Sequence, residues 1–501
     1  MRHLIVAFVL WAAIVRPSVA ANPTSTTTTA PATPAAELLR GWLESINSGD
    51  RGAIRTFVAE NMAPLPDGTV PVDGLTDRNV ARFADTGGME LRKVTASEPH
   101  RLAAFVQAKR TGSWYEVQLA VTETAPHRIL GVGQRAVEAP PELLPAETIS
   151  RDEVRRRIDA LISSLVAADQ FSGAILVAKD GQPFYERAEG FANRGWAVRN
   201  TIDTKFNTAS IGKMFTAVAV AQLVERGKLN YDDAVGEVLP DYPQKDVAAK
   251  VTIGHLLSHT SGLPSGGGKG ESLFAKRYRA LKDYLPSFAG EAPAFDPGSR
   301  FLYSNDGYRL LGLIVEKVSG QSYQQYVREH VFQRAGMTDT DNYDLENDPP
   351  GIAIGYMDPP RRAGSGAARR SNVLRIPVVG LPDGLGYSTC RDMVKFHAAL
   401  RDHTLVSEDT LNTMWTGRTK TERGGGGEYG YGAHLRRYNG TRIVWHGGGY
   451  VGITNQFEMY PDLGYTVAIF CNIDNNPTAI ALRLREWLTR VAPWQAVNPL
   501  Q

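Results

Sequence analysis

The chain begins with a run of apolar residues that has the form of an export signal. Arg2 and His3 precede an apolar stretch at 4–15, and small residues follow at 18–21. A basic start, an apolar segment of about a dozen residues and a small-residue cleavage site are typical of a secretory signal peptide. The pattern therefore predicts a signal peptide over residues 1–21 and an exported protein. Arg16 follows the apolar run directly and keeps an N-terminal membrane anchor as the alternative.

Two later segments have the composition of connecting chain. Residues 22–36 are rich in Thr, Pro and Ala and contain almost no large apolar side chains. Such a segment buries too little surface to offset the loss of chain entropy, so it predicts a flexible tether. Residues 138–149 contain three prolines and predict a linker between two domains.

Between these segments, residues 37–137 predict a small α+β accessory domain. An amphipathic pattern at 38–46 predicts a helix. Strand-like apolar runs follow at 102–109, 113–122 and 127–134. The segment 42–50, Trp-Leu-Glu-Ser-Ile-Asn-Ser-Gly-Asp, resembles the first helix of NTF2-like domains. No catalytic constellation is evident here, so the expected role is accessory, with a protein partner as one candidate.

From residue 150 onward the pattern predicts one larger domain, 150–492. Ser150 and Glu153 form a capping box ahead of an amphipathic helix. Further predicted elements are strands at 173–179, 183–188 and 466–472 and a helix at 479–491. The simplest architecture is an α+β fold, in which an antiparallel sheet made from both ends of the domain is flanked by helices and carries a helical subdomain.

Composition and charge exclude several classes of function. The 501 residues include 55 Lys and Arg against 53 Asp and Glu, a net charge of +2 that does not suggest a nucleic-acid partner. Cys390 and Cys471 are the only cysteines, too few for a disulfide scaffold or a thiolate zinc cluster. They allow one disulfide or two buried free thiols. Past residue 20 no run of about 18 apolar residues occurs, so no membrane span is predicted once the signal is removed.

The candidate chemistry begins with a polar pair on an apolar helix. Residues 211–224 are apolar nearly all round, which predicts a buried helix, and Ser210 and Lys213 share one face of it. A serine hydroxyl becomes a good nucleophile when a base removes its proton, and a lysine can be that base when burial lowers its pKa. Ser-x-x-Lys occurs once in the chain. The alternative is a serine N-cap followed by a lysine that reaches solvent.

Two further motifs also occur once each. Tyr303 and Asn305 precede a predicted helix, where a phenol can relay a proton and an amide can bind both a lysine and a substrate carbonyl. His446 and Gly448 belong to a His-Gly-Gly-Gly run that follows a strand-like segment. Glycines at a strand edge let a substrate backbone approach, although the same run is also typical of a Gly-rich hairpin.

In the order Ser210-x-x-Lys213, Tyr303-x-Asn305, His446-x-Gly448, the chain resembles the penicillin-recognising serine hydrolases. The resemblance is to the branch of class C β-lactamases and D,D-peptidases and extends over roughly residues 150–490. Further segments that resemble this branch lie at 255–263, 336–337, 384–389 and 429–432.

The resemblance implies acyl transfer through a covalent serine intermediate, with no metal and no organic cofactor. The implied catalytic residues are Ser210, Lys213 and Tyr303, the substrate-positioning residues are Asn305, His446 and Gly448, and the oxyanion hole consists of the backbone N–H groups of Ser210 and Gly449. Serine is then the nucleophile, and the lysine and tyrosine share the general-base and general-acid roles in an order that stays open. Each oxyanion-hole donor typically contributes about 10²–10³ in rate.

One departure from the family pattern bears on the substrate. Many relatives have Lys-Thr-Gly where this chain has His446-Gly447-Gly448. Gly447 lacks the hydroxyl that would bind a substrate carboxylate, a bond worth about 1.5–3 kcal/mol. The expected protein is therefore an esterase, a D-amino-acid peptidase, a D,D-carboxypeptidase-like enzyme or a weak β-lactamase. It would act on a small-molecule or peptide substrate in the bacterial periplasm or outside the cell.

The residues argue against two other classes of hydrolase. No Gly-x-Ser-x-Gly elbow of an α/β-hydrolase is present. His255 and His259 are four apart, but Leu256 stands where a zinc metalloprotease has its glutamate, so packing or helix-cap roles are predicted. An alternative of another kind is a non-catalytic protein that binds peptidoglycan or a partner on the same fold.

Overall fold

The computed structural model describes residues 32–265, 276–358, 368–421, 426–474 and 477–491. The predicted signal peptide at 1–21 and the tether at 22–31 lie outside these residues. A helix already begins at Pro34, and the two alanines that follow are buried. The tether prediction is wrong for these three residues, because proline suits the first turn of a helix and the alanines pack into a core.

Residues 32–137 form three helices followed by a four-stranded antiparallel sheet. The helices are α1 (Pro34–Asn47), α2 (Arg51–Asn61) and α3 (Val72–Thr86). The strands, in the order β1-β2-β3-β4, are β1 (Met89–Ser97), β2 (Arg101–Ala108), β3 (Trp114–Val121) and β4 (Ile129–Val137). The predicted helix and three predicted strands correspond to α1 and β2 to β4. The other elements were not predicted, since α2, for example, buries only Ile54 and Val58 and leaves a weak apolar pattern. The NTF2-like interpretation of this region stays a prediction.

The rest of the chain is organised around an eight-stranded antiparallel sheet of order β13-β14-β15-β16-β17-β18-β5-β6. Its strands are β5 (Gly173–Lys179), β6 (Gln182–Glu189), β13 (Thr419–Lys420), β14 (Glu428–Tyr429), β15 (His434–Tyr438), β16 (Thr441–Tyr450), β17 (Ile453–Tyr460) and β18 (Tyr465–Cys471). Short strands outside this sheet are β7 (Phe191–Asn193), β8 (Val198–Arg199), β9 (Phe206–Asn207), β10 (Tyr356–Met357), β11 (Arg370–Ser371) and β12 (Tyr387–Ser388). Pairing of β18 with β5 joins both ends of the domain in one sheet, which confirms the predicted fold class.

Helices cover both faces of the large sheet. They are α4 (Arg151–Ala167), α5 (Gly212–Glu225), α6 (Val235–Val238), α7 (Lys245–Lys250), α8 (Ile253–Leu257), α9 (Leu281–Tyr284), α10 (Asn305–Ser319), α11 (Tyr323–Val327), α12 (Cys390–Arg401), α13 (Glu408–Met414) and α14 (Pro477–Leu488). On β5, Ile175 and Val177 face a core with α4 and α14, whereas Ala174 and Leu176 face a second core with α5 and α12. This alternation is what a strand buried on both sides requires. Helices α6 to α11 form the predicted helical subdomain.

Three further features complete the fold. The two cysteines are buried and are not joined in a disulfide, with Cys390 at the start of α12 and Cys471 at the end of β18. A short 3₁₀ turn, Ala209–Ile211, leads into α5. Within the ranges given above, no helix is both long enough and apolar enough to cross a bilayer.

A buried histidine between α12 and β18 makes stability depend on pH. His397 is 4% exposed and its Nδ1 lies 2.6 Å from Thr466 Oγ1. Burial, aided by the nearby Arg401, lowers its pKa to about 4. Because the unfolded chain takes up this proton near pH 6.5, stability should be complete above that pH and fall as the pH drops toward 4.

We expect about 2 kcal/mol of the free energy of unfolding to be lost through His397 between pH 7.5 and 5.0. Urea denaturation of the wild type and of His397→Gln at both pH values measures this. The glutamine can still bond Thr466 but does not titrate, so it should lose less stability on acidification. Equal losses in the two proteins would refute the assignment.

Candidate active site

The predicted nucleophile and its lysine are in contact at the start of α5. Ser210 is half-buried in the 3₁₀ turn, and Lys213 is fully buried. Lys213 Nζ donates to Ser210 Oγ at 3.3 Å, to Asn305 Oδ1 at 2.8 Å and to the backbone oxygen of Asp383 at 2.6 Å. All three partners of the Lys213 nitrogen are oxygen atoms, and together they hold the side chain in one place. The alternative of a serine N-cap and a solvent-reaching lysine is wrong, because the serine makes no cap bond and the lysine has no exposure.

The backbone that presents Ser210 is held in a strained turn. Ala209 has a φ of +44°, in the left-handed region that residues with a Cβ rarely adopt. The Asn207 side chain accepts from the Ala209 N–H at 3.0 Å and donates to the Leu385 oxygen at 3.0 Å. Asn455 on β17 donates to the Asn207 oxygen at 2.7 Å. These hydrogen bonds connect the turn to the sheet and to the loop before β12. They hold Ala209 in its left-handed conformation.

Two glycines pack directly on this turn. A Cβ on Gly384 would lie 2.0 Å from the Ala209 oxygen, and a Cβ on Gly448 would lie 2.5 Å from the Thr208 oxygen. Both distances are far below van der Waals contact, so any larger residue would displace the turn. Position 448 therefore requires glycine because its backbone packs directly against the turn that carries Ser210.

A buried ion network lies behind Lys213. Arg309 on α10 donates to Asp306 at 2.8 Å and to the two carboxylate oxygens of Asp383 at 3.2 and 3.1 Å. All three side chains are buried. Burial opposes the charge on Arg309, but the two aspartates keep its pKa above the usual value. The network fixes Asp383, and with it the backbone oxygen that accepts a hydrogen bond from Lys213.

Tyr303 lies between Lys213 and a buried imidazole. Lys213 Nζ is 4.9 Å from the centroid of the Tyr303 ring, and the His259 ring is 4.2 Å from it, centroid to centroid. His259 Nδ1 accepts from the Ser304 N–H at 3.1 Å, which places its hydrogen on Nε2. His255 takes part in a capping box at the start of α8. The packing and cap roles predicted for these histidines are the ones found, and the packed one also orients the tyrosine.

Strand β16 brings the glycine run to the nucleophile. Its ladder with β15 ends at the pair of Trp445 with His434, and among the described strands residues 446–450 pair with β17 alone. Gly448 packs on the turn of Ser210, and Gly449 beside it is exposed. This strand edge has no neighbouring strand in the described chain and lies next to Ser210. A backbone N–H group here could donate to the oxygen of a substrate carbonyl that Ser210 attacks. The pairing of the Ser210 and Gly449 N–H groups as that donor set stays a prediction.

His446 is buried within the protein. It is 2% exposed, and its Nδ1 lies 2.6 Å from the Gly447 carbonyl oxygen, which can only accept. Its Nε2 lies 3.1 Å from the Tyr429 hydroxyl. Its ring is 6.3 Å from that of Tyr303, centroid to centroid. Since both ring nitrogens have protein partners, substrate positioning by this histidine stays a prediction.

The comparison with known proteins agrees with this geometry. Residues 158–490 match the family model described as Beta-lactamase. The chain belongs to this family. Penicillin-binding protein 4* of Bacillus subtilis is 30% identical over 329 residues, which are 64% of this chain and 72% of the relative. The crystal structure of a penicillin binding protein from Bacillus halodurans is 34% identical, has a TM-score of 0.56, and covers 63% of this chain and 95% of its own.

The same fold also occurs in a more distant enzyme. The structure of a D-amino acid amidase from Ochrobactrum anthropi is 23% identical with a TM-score of 0.57, over 67% of this chain and 97% of its own. Membership of the Beta-lactamase family makes this chain a serine hydrolase related to penicillin-binding proteins. Residues 32–157 lie outside the family match.

Ser210, Tyr303 and Asn305 all lie around the side-chain nitrogen of Lys213, although these four residues come from two segments about 90 residues apart. Sequence reasoning missed the supporting residues Asp383, Arg309, Asn207 and Asn455, and it gave His259 a packing or cap role without linking it to Tyr303. Asp306 and Arg309, a pair of opposite charges three residues apart at the start of the helix predicted after Asn305, were a usable signal for the ion network. The backbone oxygen that receives the lysine had no signal, because every residue has one.

Proposed function

We propose that this chain is an exported serine hydrolase that cleaves an ester or amide through an acyl-enzyme on Ser210. The observation that supports this most directly is the 3.3 Å hydrogen bond between Lys213 Nζ and Ser210 Oγ in a site where Asn305 and Asp383 hold the lysine. A buried amine in contact with a serine hydroxyl is the arrangement that nucleophilic catalysis by serine needs.

The proposed reaction has two steps. Ser210 Oγ attacks the substrate carbonyl while its proton passes to the pair of Lys213 and Tyr303. The bond from carbon to the leaving alcohol or amine breaks, and the leaving group receives that proton. Water then attacks the acyl carbon and gives a proton to the pair of Lys213 and Tyr303, the bond from that carbon to Ser210 Oγ breaks, and Oγ takes the proton back as the acid leaves. The N–H groups of Ser210 and Gly449 stabilise the oxyanion in both steps.

The substrate class follows from what the site offers. Gly447 supplies no hydroxyl, and the neighbouring His446 is engaged by Tyr429, so binding of a substrate carboxylate is weak at this edge. We therefore place esters and D-amino-acid amides or peptides that bring no carboxylate to this edge ahead of β-lactams and of D,D-carboxypeptidase substrates, because both of the latter carry one. Export to the periplasm or the cell exterior rests on the predicted signal peptide.

Intact-mass measurement after incubation with a fluorophosphonate and with a penicillin tests the proposal. We expect one fluorophosphonate adduct, and a penicillin adduct that forms slowly or is absent. Turnover of p-nitrophenyl acetate and of a peptide ending in D-Ala-D-Ala then separates esterase from peptidase activity. Absence of any adduct on folded protein would contradict the proposal and favour the binding protein on the same fold.

Gly448→Ala should slow acylation although the variant carries every proposed catalytic side chain. The new Cβ would lie 2.5 Å from the Thr208 oxygen, so the turn must move by about an ångström, and a displacement of this size costs about 10²-fold in rate. The second-order rate of fluorophosphonate labelling measures this. Gly131→Ala is the matched control, because that strand glycine has no atom within 4 Å of the new Cβ. Equal rates in both variants would show that the close packing at 448 is not needed.

A further inference from the structure

A cavity of about 630 Å³ lies between the N-terminal unit, residues 32–137, and the hydrolase domain. The N-terminal wall comes mainly from α3, β3 and β4, and the opposite wall comes mainly from α4 and α14. Gln170 joins the two walls, because its side chain donates to the Ala84 oxygen at 2.9 Å and to Asp85 Oδ1 at 3.1 Å. A cavity of this size at a domain boundary is a common place for a small organic ligand.

Arg82 on α3 lines this cavity and has only neutral partners. Its Nε donates to Gln134 Oε1 at 3.0 Å, its Nη1 donates to Asn79 Oδ1 at 2.6 Å, and the guanidinium carbon lies 5.5 Å from the centroid of the Trp42 ring. In the part of the chain that the structure describes, no carboxylate oxygen lies within 4 Å of this guanidinium, and Nη2 makes no hydrogen bond. Burial, together with the charge of Arg78, lowers its pKa to about 10. A largely buried charge without a counter-ion is uncommon in a folded protein.

The Tyr115 hydroxyl on β3 is a second hydrogen-bond donor in the lining. Burial, aided by the charge of Asp85, raises its pKa to about 12, so the phenol keeps its proton at neutral pH. Among the residues that the structure describes, none forms a hydrogen bond with this hydroxyl. A half-buried hydroxyl without a protein partner is satisfied by solvent or by a ligand.

The register of β3 and β4 places these two donors close together. Tyr115 pairs with Ala136 and Val117 pairs with Gln134, so Tyr115 and Gln134 lie on one face of the sheet as diagonal neighbours. Such neighbours are about 7–8 Å apart. Because Arg82 is bonded to Gln134, its guanidinium and the Tyr115 hydroxyl can reach the same ligand.

The acidic residues of the lining are bonded within the protein. Arg369 bonds Asp358 at 2.6 Å and Asp169 at 2.5 Å. Asp474 accepts from two backbone N–H groups, at 2.7 and 3.0 Å, and Asp85 accepts from the glutamine that joins the two walls. Counter-charge is therefore needed at Arg82 and not on the opposite wall.

The opposite wall also supplies an apolar surface. Leu161 and Leu165 on α4 and Ile480 on α14 line the cavity from the hydrolase domain. The cavity thus has donors on one side and aliphatic side chains on the other, which suits a ligand with an acidic group and an apolar body.

We propose that this cavity binds a small organic carboxylate, held by Arg82 and Tyr115 at its acidic end and by α4 and α14 at its apolar end. Both groups donate, so the part of the ligand that they share is an acceptor, and an anionic acceptor also supplies the counter-charge for the guanidinium. A ligand in this position contacts both domains, so its binding also stabilises their docking. Neither the cavity nor its ligand depends on the reaction proposed at Ser210.

Isothermal titration calorimetry with 3-phenylpropionate and with its uncharged amide tests this proposal. The whole chain carries Ser210→Ala, so that the amide is not hydrolysed. We expect a Kd of about 1 mM or below for the acid. The amide should bind at least about tenfold more weakly, because it brings no charge to Arg82. Acetate should also bind at least about tenfold more weakly than 3-phenylpropionate, because it lacks the apolar body.

Two added substitutions locate the binding site. Arg82→Met keeps an unbranched side chain beside Trp42 but removes the charge, so the preference for the acid over the amide should disappear. Tyr115→Phe removes only the hydroxyl and should reduce that preference about threefold or more. Arg55→Met is the matched control, because Arg55 lies on α2 outside the cavity, has a side chain that is 57% exposed and pairs with Asp73. It should leave the preference unchanged, and thermal unfolding checks that each variant is folded.

Three results would overturn the proposal. The folded protein may bind the acid and the amide equally well, or it may bind neither. An acid preference that survives both Arg82→Met and Tyr115→Phe would place the carboxylate elsewhere, for example in the catalytic site. Because the tested protein lacks the Ser210 hydroxyl, failure of the proposed hydrolase activity would not alter any of these outcomes.

Discussion

Ser210→Ala is expected to lower turnover of any ester or amide substrate by about 10⁴–10⁶ and to abolish the covalent adduct. Without the hydroxyl oxygen no acyl-enzyme can form, and Lys213 is left bonded to Asn305 and to the Asp383 carbonyl. Because those two bonds remain, the lysine should stay in place and the fold should be kept. Steady-state kinetics and intact mass after fluorophosphonate treatment measure the two effects, and thermal unfolding checks the fold.

The matched control is Ser265→Ala, which removes a serine hydroxyl from the edge of the same site. Ser265 Oγ accepts a hydrogen bond from the Asn305 backbone N–H at 3.2 Å. This variant should still be labelled on Ser210. If the adduct still forms in Ser210→Ala but is lost in Ser265→Ala, the nucleophile is Ser265 and the assignment to Ser210 is wrong.

Arg485→Met is expected to reduce the free energy of unfolding by about 3–5 kcal/mol. Arg485 on α14 is 1% exposed and bonds the fully buried carboxylate of Glu458 at 2.6 Å and the Glu138 carboxylate at 2.8 Å. Burial opposes the guanidinium charge, but these two carboxylates keep its pKa above the usual value. Removing the arginine takes the direct ion pair from the buried Glu458, whose remaining hydrogen bonds come from the neutral side chains of Gln456 and Tyr460. Urea denaturation gives the loss directly.

Two companion variants separate a buried charge from lost packing. Adding Glu458→Gln to Arg485→Met removes the unpaired charge, so a large part of the lost stability should return. Arg156→Met breaks an exposed pair with Glu153, in which the arginine side chain is 69% exposed, and should cost less than about 1 kcal/mol. If the double variant is no more stable than Arg485→Met, lost packing rather than an unpaired charge explains the effect.

The elements that were predicted well are those whose signal is local and strong. The helix expected at 211–224 is α5 at Gly212–Glu225, because a segment that is apolar all round can only be buried. The strands on either side of Asp180-Gly181 are β5 and β6, because that turn sequence restricts the connection. By contrast, α2 and α3 were not predicted, because each helix buries only a few residues and its sequence therefore has a weak amphipathic pattern. The end of the tether was misplaced for a similar reason, because alanines give no sign of the core into which they pack.

In the candidate site, too, the features set by local sequence were predicted and those set by tertiary contacts were not. Local sequence is enough to place Ser210 and Lys213 on one face of α5, because the helix repeat brings residues three apart together. The arrangement of the other groups depends on distances through space. Lys213 meets a backbone oxygen 170 residues away, and Asn207 meets Asn455 at a separation of 248. No pattern along the chain encodes such a distance, so the burial of the lysine and the strain at Ala209 are decided by packing.

The chain's residue types and their short-range spacing are sufficient for the α+β class, the buried helix and the serine with its lysine, because backbone geometry over a few residues is nearly the same in every protein. Hydrogen-bond and electrostatic energies depend on separation and on exclusion of water, and both appear only when distant segments pack. The tertiary structure therefore decided that His446 is engaged by Tyr429 and that Arg309 fixes Asp383.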